Sequence, residues 1–114
     1  MMVDEAKPRV NEISIDEAHE RLEANSDAIL VDVREDKEWD TAHAKGAVHL
    51  GKGVLERDIE QAIPDKDAEV IMYCGGGYRS ILTCDAAQKM GYTNVRSLIG
   101  GYKGLVEADW PMEG

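Results

Sequence analysis

The chain has 114 residues and a mass of 12.6 kDa, a length that suits one domain with one core and excludes two domains of ordinary size. Hydrophobic residues make up 43% and charged residues 32%, close to the averages for globular domains, which disfavours disorder and fibrous repeats. The 13 Lys and Arg against 23 Asp and Glu give a formal charge of -10, so the surface repels nucleic acid and anionic membranes. A small anionic substrate would need a few positive groups gathered at one site.

The cysteine content and the N-terminus indicate a reducing compartment. Cys74 and Cys84 are the only cysteines, far fewer than a disulfide-stapled secreted domain carries. The first residues, MMVDEAKPR, are acidic and polar, unlike a signal peptide, and no apolar stretch approaches the roughly 18 to 20 residues that span a bilayer. We therefore expect a cytoplasmic protein with one domain over residues 1–114, of which 1–9 form a flexible segment.

The first predicted elements are a helix and a buried strand. Ser14 and Glu17 form a capping-box pattern, which predicts a helix that runs to about Asn25. The continuous apolar run over residues 28–33 predicts a central strand that is covered on both faces. Asp32 is expected near the carboxyl end of that strand.

The remaining predicted elements alternate between helix and strand. Further helices are predicted over 35–42, 54–62 and 79–90 and after Gly100 and Gly101, and further strands over 47–50, 69–73 and 94–98. This alternation implies right-handed crossovers and an α/β fold, with a central parallel sheet flanked by helices on both faces. A ligand is then expected beyond the carboxyl ends of the strands, where Asp32 and Cys74 both fall.

The strongest chemical pattern is the loop that follows the strand predicted over 69–73, which reads Cys74, Gly75, Gly76, Gly77, Tyr78, Arg79, Ser80. Three successive glycines can turn several amide N–H groups inward as an anion-binding nest, and the following helix adds its first-turn amides. Arg79 brings a permanent charge on a planar fork that matches an oxyanion. These features favour the ionised, nucleophilic form of Cys74. The alternative is that Cys74 is an ordinary small buried residue beside a plain loop.

The sequence resembles the single-domain rhodaneses over most of its length. The matching segments are Asp32-Val33-Arg34, residues 43–50, residues 74–80, residues 91–95 and residues 98–101. The resemblance implies a rhodanese-like α/β fold and sulfurtransferase activity through a cysteine persulfide, with residues 74–79 as the active-site loop and Cys74 as the sulfur acceptor. Four residues separate Cys74 from Arg79, the spacing of rhodaneses, whereas the related phosphatase and arsenate-reductase loops have five.

Three further residues are candidates for a supporting role. Asp32 and Arg34 either brace the loop or help to bind the substrate, and Arg34 could also pair with Glu38. The resemblance implies that His43 braces its turn. His43 and His49 have no cysteine or carboxylate at ligand spacing, so no metal site is expected.

The expected function is the transfer of sulfane sulfur from thiosulfate or a related small anionic donor to a thiol, cyanide or protein acceptor, without a metal or organic cofactor. Cys74 is the nucleophile, Arg79 assists catalysis, and the rest of the loop through Ser80 binds the substrate. A non-catalytic rhodanese-like binding module is the first alternative, which the presence of Cys74 disfavours. A phosphatase or arsenate reductase is the second, which the short loop disfavours. Cys84 is expected to be a buried, non-catalytic thiol.

Overall fold

The computed structural model describes residues 10–51, 55–75 and 78–113, with the side chains of Glu56, Tyr78 and Arg79 left aside. The flexible segment expected at residues 1–9 lies outside the described residues. Within the described part no helix is both long enough and apolar enough to cross a membrane.

Seven strands and five helices are described. The strands are β1 (Asn11–Ile13), β2 (Ile29–Asp32), β3 (His43–Ala44), β4 (Val48–His49), β5 (Val70–Tyr73), β6 (Val95–Leu98) and β7 (Met112–Glu113). The helices are α1 (Ile15–Ala24), α2 (Asp36–Thr41), α3 (Leu55–Ala62), α4 (Tyr78–Lys89) and α5 (Gly101–Glu107). Each predicted helix and strand is present, within one or two residues of its expected ends.

The main sheet confirms the predicted α/β fold. Its strand order is β1-β6-β5-β2-β4, and every neighbouring pair is parallel. The short strands β3 and β7 form a separate antiparallel pair. The sequence did not predict β1, β3 or β7, because their two or three residues show no hydrophobic periodicity and, unlike the equally short β4, do not stand between two glycines.

Two apolar cores cover the two faces of the sheet. Alternate residues of β5 show the division, since side chains along a strand point to opposite faces. Val70 and Met72 belong to the core that α3 and α4 cover, whereas Ile71 and Tyr73 belong to the core that α1 and α5 cover. All four are fully buried, so the strand that leads to Cys74 is held firmly on both sides.

The N-terminus of α1 shows one half of the predicted capping box. The Ser14 hydroxyl accepts a hydrogen bond from the Glu17 amide at 3.1 Å, as expected for an N-cap. The Glu17 carboxylate accepts instead from Arg21 Nε at 3.0 Å, one helical turn ahead. The helix therefore begins where the sequence predicts, with an ion pair along its surface.

Candidate active site

The candidate site lies where β2 and β5 end side by side. The two strands pair in register, with Asp32 beside Tyr73, and Cys74 follows directly. Asp32 and Cys74 therefore lie at the same carboxyl edge of the sheet, as expected. The loop that begins at Cys74 connects β5 to α4, which starts at Tyr78. Gly76 and Gly77 lie outside the described residues.

Cys74 is buried beside the Ser80 hydroxyl, which in turn contacts the hydroxyl of Ser97. Its residue is 1% exposed, and its Sγ lies 3.8 Å from Ser80 Oγ, in the first turn of α4. Ser80 Oγ lies 2.7 Å from Ser97 Oγ on β6, and both serines are buried. The thiol thus has polar groups beside it in an otherwise apolar core.

The N-terminus of α5 holds the backbone at the start of the loop. The Tyr102 amide donates to the Cys74 carbonyl oxygen at 2.6 Å, and the Lys103 amide donates to the Gly75 oxygen at 3.3 Å. This close approach requires glycine at position 101, where φ is +54° and a Cβ would overlap the Cys74 carbonyl oxygen. Backbone hydrogen bonds from another part of the chain therefore fix the position of Cys74.

Asp32 and Arg34 form a buried ion pair. Arg34 Nε lies 3.1 and 3.0 Å from the two Asp32 carboxylate oxygens, and its Nη2 lies 2.8 Å from Oδ2. The backbone amide of Arg34 also donates to Asp32 at 2.8 Å, and Nη2 donates to the Ala42 carbonyl at 2.5 Å. The guanidinium expected to meet Glu38 or the substrate is thus already bound by Asp32.

Two tyrosines enclose this pair. The Arg34 guanidinium lies 3.9 Å from the centre of the Tyr102 ring and 5.8 Å from that of Tyr73. Burial lowers the pKa of Arg34, but the hydrogen bond and charge of Asp32 outweigh it and the net shift is upward. Burial and the Asp32 carboxylate together raise the pKa of Tyr73 far above its usual range. Arg34 and Tyr73 therefore stay protonated. The ion pair of Asp32 and Arg34 links β2 to Tyr102 of α5, whose amide binds the Cys74 carbonyl oxygen.

His43 lies in an aromatic stack rather than in the loop that follows β5. Its ring stacks on Trp39 with centroids 3.5 Å apart, and His49 stacks on Trp39 with centroids 4.8 Å apart. His43 Nδ1 is 2.9 Å from the Trp39 carbonyl, and its Nε2 is 3.3 Å from a Glu113 oxygen. These contacts join α2 to the pair of β3 and β7.

The rhodanese-like domain model matches residues 14–108. The chain belongs to the rhodanese-like family. The match includes the loop after β5, the pair of Asp32 and Arg34, and the described strands of the main sheet. Only β1 of that sheet lies outside the matched residues.

Relatives and solved structures agree with this family. The chain is 34% identical over 102 residues to the thiosulfate sulfurtransferase GlpE of Haemophilus influenzae, covering 90% of this chain and 93% of that protein. A thiosulfate sulfurtransferase structure from Pseudomonas aeruginosa has a TM-score of 0.83 at 25% identity, covering 96% of this chain and 21% of that one. A Rhodopseudomonas palustris structure, described as a possible tyrosine phosphatase, has a TM-score of 0.84 at 28% identity, covering 98% and 91%. The homologues support sulfurtransferase activity in general.

Cys84 of this rhodanese-like domain is buried, as expected. It lies on the sheet-facing side of α4, is fully buried, and carries a free thiol. Burial, and to a smaller extent the charge of ionised Cys74, raise the pKa of Cys84 well above its usual range. A thiol that keeps its proton is a poor nucleophile.

We expect the free energy of unfolding to fall less steeply with rising pH in Cys84→Ala than in the wild type. Above about pH 8.5, the ordinary pKa of a thiol, the unfolded chain releases the Cys84 proton while the folded chain keeps it. The folded state then binds more protons, so the free energy of unfolding falls with rising pH, by up to about 1.4 kcal/mol per unit for this group. Thermal unfolding between about pH 8 and pH 10 measures the slope, and turnover at neutral pH should stay unchanged. An identical slope in both proteins would contradict the assignment.

The described part of this rhodanese-like domain contains no group of three His, Cys, Asp or Glu side chains that could hold a metal ion. No role was predicted from the sequence for Ser97, Gly101 or Tyr102. A signal for Ser97 was present, because it is a polar residue within a strand whose neighbours Val95 and Leu98 are buried. The two backbone contacts of α5 leave no such signal, since every residue except proline can donate an amide hydrogen.

Proposed function

We propose that this rhodanese-like domain moves sulfane sulfur from a small anionic donor such as thiosulfate to a thiol, cyanide or protein acceptor, through a persulfide on Cys74. The observation that carries the proposal is the position of Cys74. It follows a strand buried on both faces, its carbonyl is bound by the Tyr102 amide, and its sulfur lies beside the Ser80 hydroxyl. A nucleophile held in this way meets the geometric demand of covalent catalysis.

The first half of the proposed reaction loads sulfur onto Cys74. The Cys74 thiolate attacks the outer sulfur of thiosulfate, and a bond forms between Sγ and that sulfur. The bond between the outer sulfur and the sulfonate sulfur breaks, and its electron pair leaves with sulfite. The negative charge of the thiolate then resides on the terminal persulfide sulfur, so charge and electrons balance.

The second half returns the thiolate. A nucleophilic acceptor, such as cyanide, attacks the terminal sulfur, the S–S bond breaks, and its electron pair returns to Cys74 Sγ. Thiocyanate is released when the acceptor is cyanide. No external oxidant or reductant is required, because the sulfane sulfur passes from one nucleophile to another.

The remaining residues have two proposed roles. The amides of Gly75, Gly76 and Gly77 and the charge of Arg79 stabilise the anionic donor and the charge that develops on sulfite. Tyr78 and Ser80 complete this binding loop, Asp32 and Arg34 brace it, and His43 braces its own turn before β4. The bracing role of Arg34 is supported by its bidentate pairing with Asp32, which leaves its guanidinium poorly placed to bind a donor. A reduced Cys74 thiol also suits the cytoplasm, where we propose that the protein acts.

Two other functions are less well supported. The likeness to the possible tyrosine phosphatase raises phosphate ester hydrolysis as a candidate. A tetrahedral phosphorus centre needs a wider cradle than the four residues between Cys74 and Arg79 provide. A binding module without catalysis would have no use for a held thiol between β5 and α4.

A panel of donors tests the proposal. Reduced protein is incubated separately with thiosulfate, mercaptopyruvate, glutathione persulfide and a phosphate ester, and its intact mass is measured before and after cyanide. We expect thiosulfate or another sulfur donor to add the mass of one sulfur atom at Cys74, and cyanide to remove it as thiocyanate. Hydrolysis of the phosphate ester without sulfur loading would favour a phosphatase. Folded protein that reacts with no donor would favour the binding module.

A further inference from the structure

Ser97 is a buried polar residue in the middle of the apolar core beside Cys74. Side chains that face α3 and α4 from the three central strands β2, β5 and β6 are Ile29, Val31, Val70, Met72, Val95 and Ser97. Ser97 is the polar member of this described set, and it is 1% exposed. A valine would suit a buried strand better, so the hydroxyl needs an explanation beyond strand formation.

The pairing of β5 and β6 places Ser97 next to the nucleophile. Ser97 pairs in register with Met72, two residues before Cys74 on the same face of the sheet. Its Oγ reaches Ser80 Oγ at 2.7 Å, and Ser80 Oγ lies 3.8 Å from Cys74 Sγ. The three side chains therefore form a buried chain from Ser97 through Ser80 to sulfur.

The Ser97 hydroxyl influences the direction in which the Ser80 hydroxyl points. Ser80 has one hydroxyl proton, which can be donated to only one partner at a time. When Ser97 donates to Ser80 Oγ, the Ser80 O–H bond can point at the sulfur of Cys74. When Cys74 carries its own proton, the direction reverses, and Ser80 accepts from sulfur and donates to Ser97. Ser80 can thus hydrogen-bond to either form of the Cys74 thiol by rotation of its O–H bond alone.

We propose that Ser97 is a positioning residue for Cys74, which acts by orienting the Ser80 hydroxyl toward the thiolate. This inference rests on the proposed function for its catalytic consequence. The benefit is greatest for the anionic sulfur, because a hydrogen bond to a charged acceptor is about twice as strong as one between neutral groups. Because the surrounding core has a low dielectric constant, the loss of that orientation would directly destabilise the Cys74 thiolate.

The test compares Ser97→Ala, Ser80→Ala and the double variant. The rate of Cys74 alkylation by iodoacetamide at neutral pH reports the thiolate without any sulfur donor, and peptide mass spectrometry confirms the alkylated residue. We expect Ser97→Ala to slow alkylation and the kcat for sulfur transfer about tenfold, the effect of one hydrogen bond to a charged group. The KM for thiosulfate should be little changed, since Ser97 is not placed to touch the donor.

The double variant separates action through Ser80 from an independent effect. If Ser97 acts through Ser80, adding Ser97→Ala to Ser80→Ala slows alkylation no further, because the two effects are not additive. Ser97→Thr keeps the hydroxyl and should restore most of the rate. Effects of the two single changes that multiply, or alkylation at the wild-type rate in Ser97→Ala, would overturn the proposal.

Folding and function are controlled separately. Thermal unfolding checks each variant, and if Ser97→Ala does not fold, Ser97→Cys, close in size and a weak donor, takes its place with the same expected direction. If wild-type protein transfers no sulfur, the alkylation rates still test Ser97, and the failure belongs to the proposed function alone. If sulfur transfer proceeds but neither rate responds at Ser97, the failure belongs to the inference.

Discussion

Replacing Cys74 with serine is expected to abolish sulfur transfer. A serine hydroxyl is almost entirely protonated at neutral pH, and an alkoxide is too hard a nucleophile to attack sulfane sulfur. Loss of a nucleophile costs on the order of 10⁴-fold or more in turnover. Turnover with thiosulfate and cyanide, together with the intact mass after thiosulfate alone, measures the effect. The variant should show neither thiocyanate nor the added sulfur.

Cys84→Ser is the matched control for this change. It makes the same atomic replacement in the same apolar core, and Cys84 is buried as deeply as Cys74. Cys84→Ser should cost about 1–3 kcal/mol of stability, because it buries a hydroxyl in place of a thiol, and Cys74→Ser should cost less, because the Ser80 hydroxyl lies beside it. Only the change at Cys74 should remove turnover. Sulfur loading that persists in Cys74→Ser and disappears in Cys84→Ser would show that Cys84, not Cys74, is the nucleophile.

Gly101→Ala is expected to reduce turnover on the order of 10²-fold, the effect of about a 1 Å displacement at a catalytic group. At φ +54° an alanine is strained by about 1–2 kcal/mol, and its Cβ would overlap the Cys74 carbonyl oxygen and lie 3.0 Å from that of Gly75. Both oxygens accept hydrogen bonds from amides of α5, so relieving the overlap must move the start of the loop that follows β5. Steady-state kinetics with thiosulfate measures the loss, and thermal unfolding measures the strain.

Gly46→Ala separates strain from displacement. Gly46 has φ +82°, and a Cβ there would meet no atom within 4 Å. This control should lose stability through backbone strain alone and keep its turnover. Equal turnover in the two variants would show that the contact between α5 and the Cys74 backbone has no influence on the reaction.

The sequence predicted the elements that have a long enough pattern. The runs at 28–33 and 69–73 became β2 and β5, because continuous apolar residues suit strands buried on both faces. Strands β1, β3 and β7 have three residues or two, and their pairing partners lie far away in the chain. Such strands form because a partner edge is available, which no local pattern can indicate.

The same distinction applies to the candidate site. Cys74 and the glycines after it were identifiable because the residues that define this chemical pattern are consecutive in the sequence. The choice between brace and substrate ligand for Arg34 was open in the sequence, since it depends on the turn after β2 that folds the guanidinium back onto Asp32. The polar residue Ser97 was visible within a predicted strand, but its place beside Cys74 required the distance to Ser80.

The edges of the main sheet differ from its centre. The candidate site residues Asp32, Cys74 and Ser97 lie on or directly after β2, β5 and β6, the three central strands, whereas the edge strands β1 and β4 have three and two residues. An edge strand exposes unpaired backbone groups to which another chain can add, and a short one offers few of them. Edge-to-edge aggregation is therefore disfavoured at both edge strands, independently of the residues on the three central strands. Substitutions that lengthened β4 would threaten the solubility of the protein before they affected its chemistry.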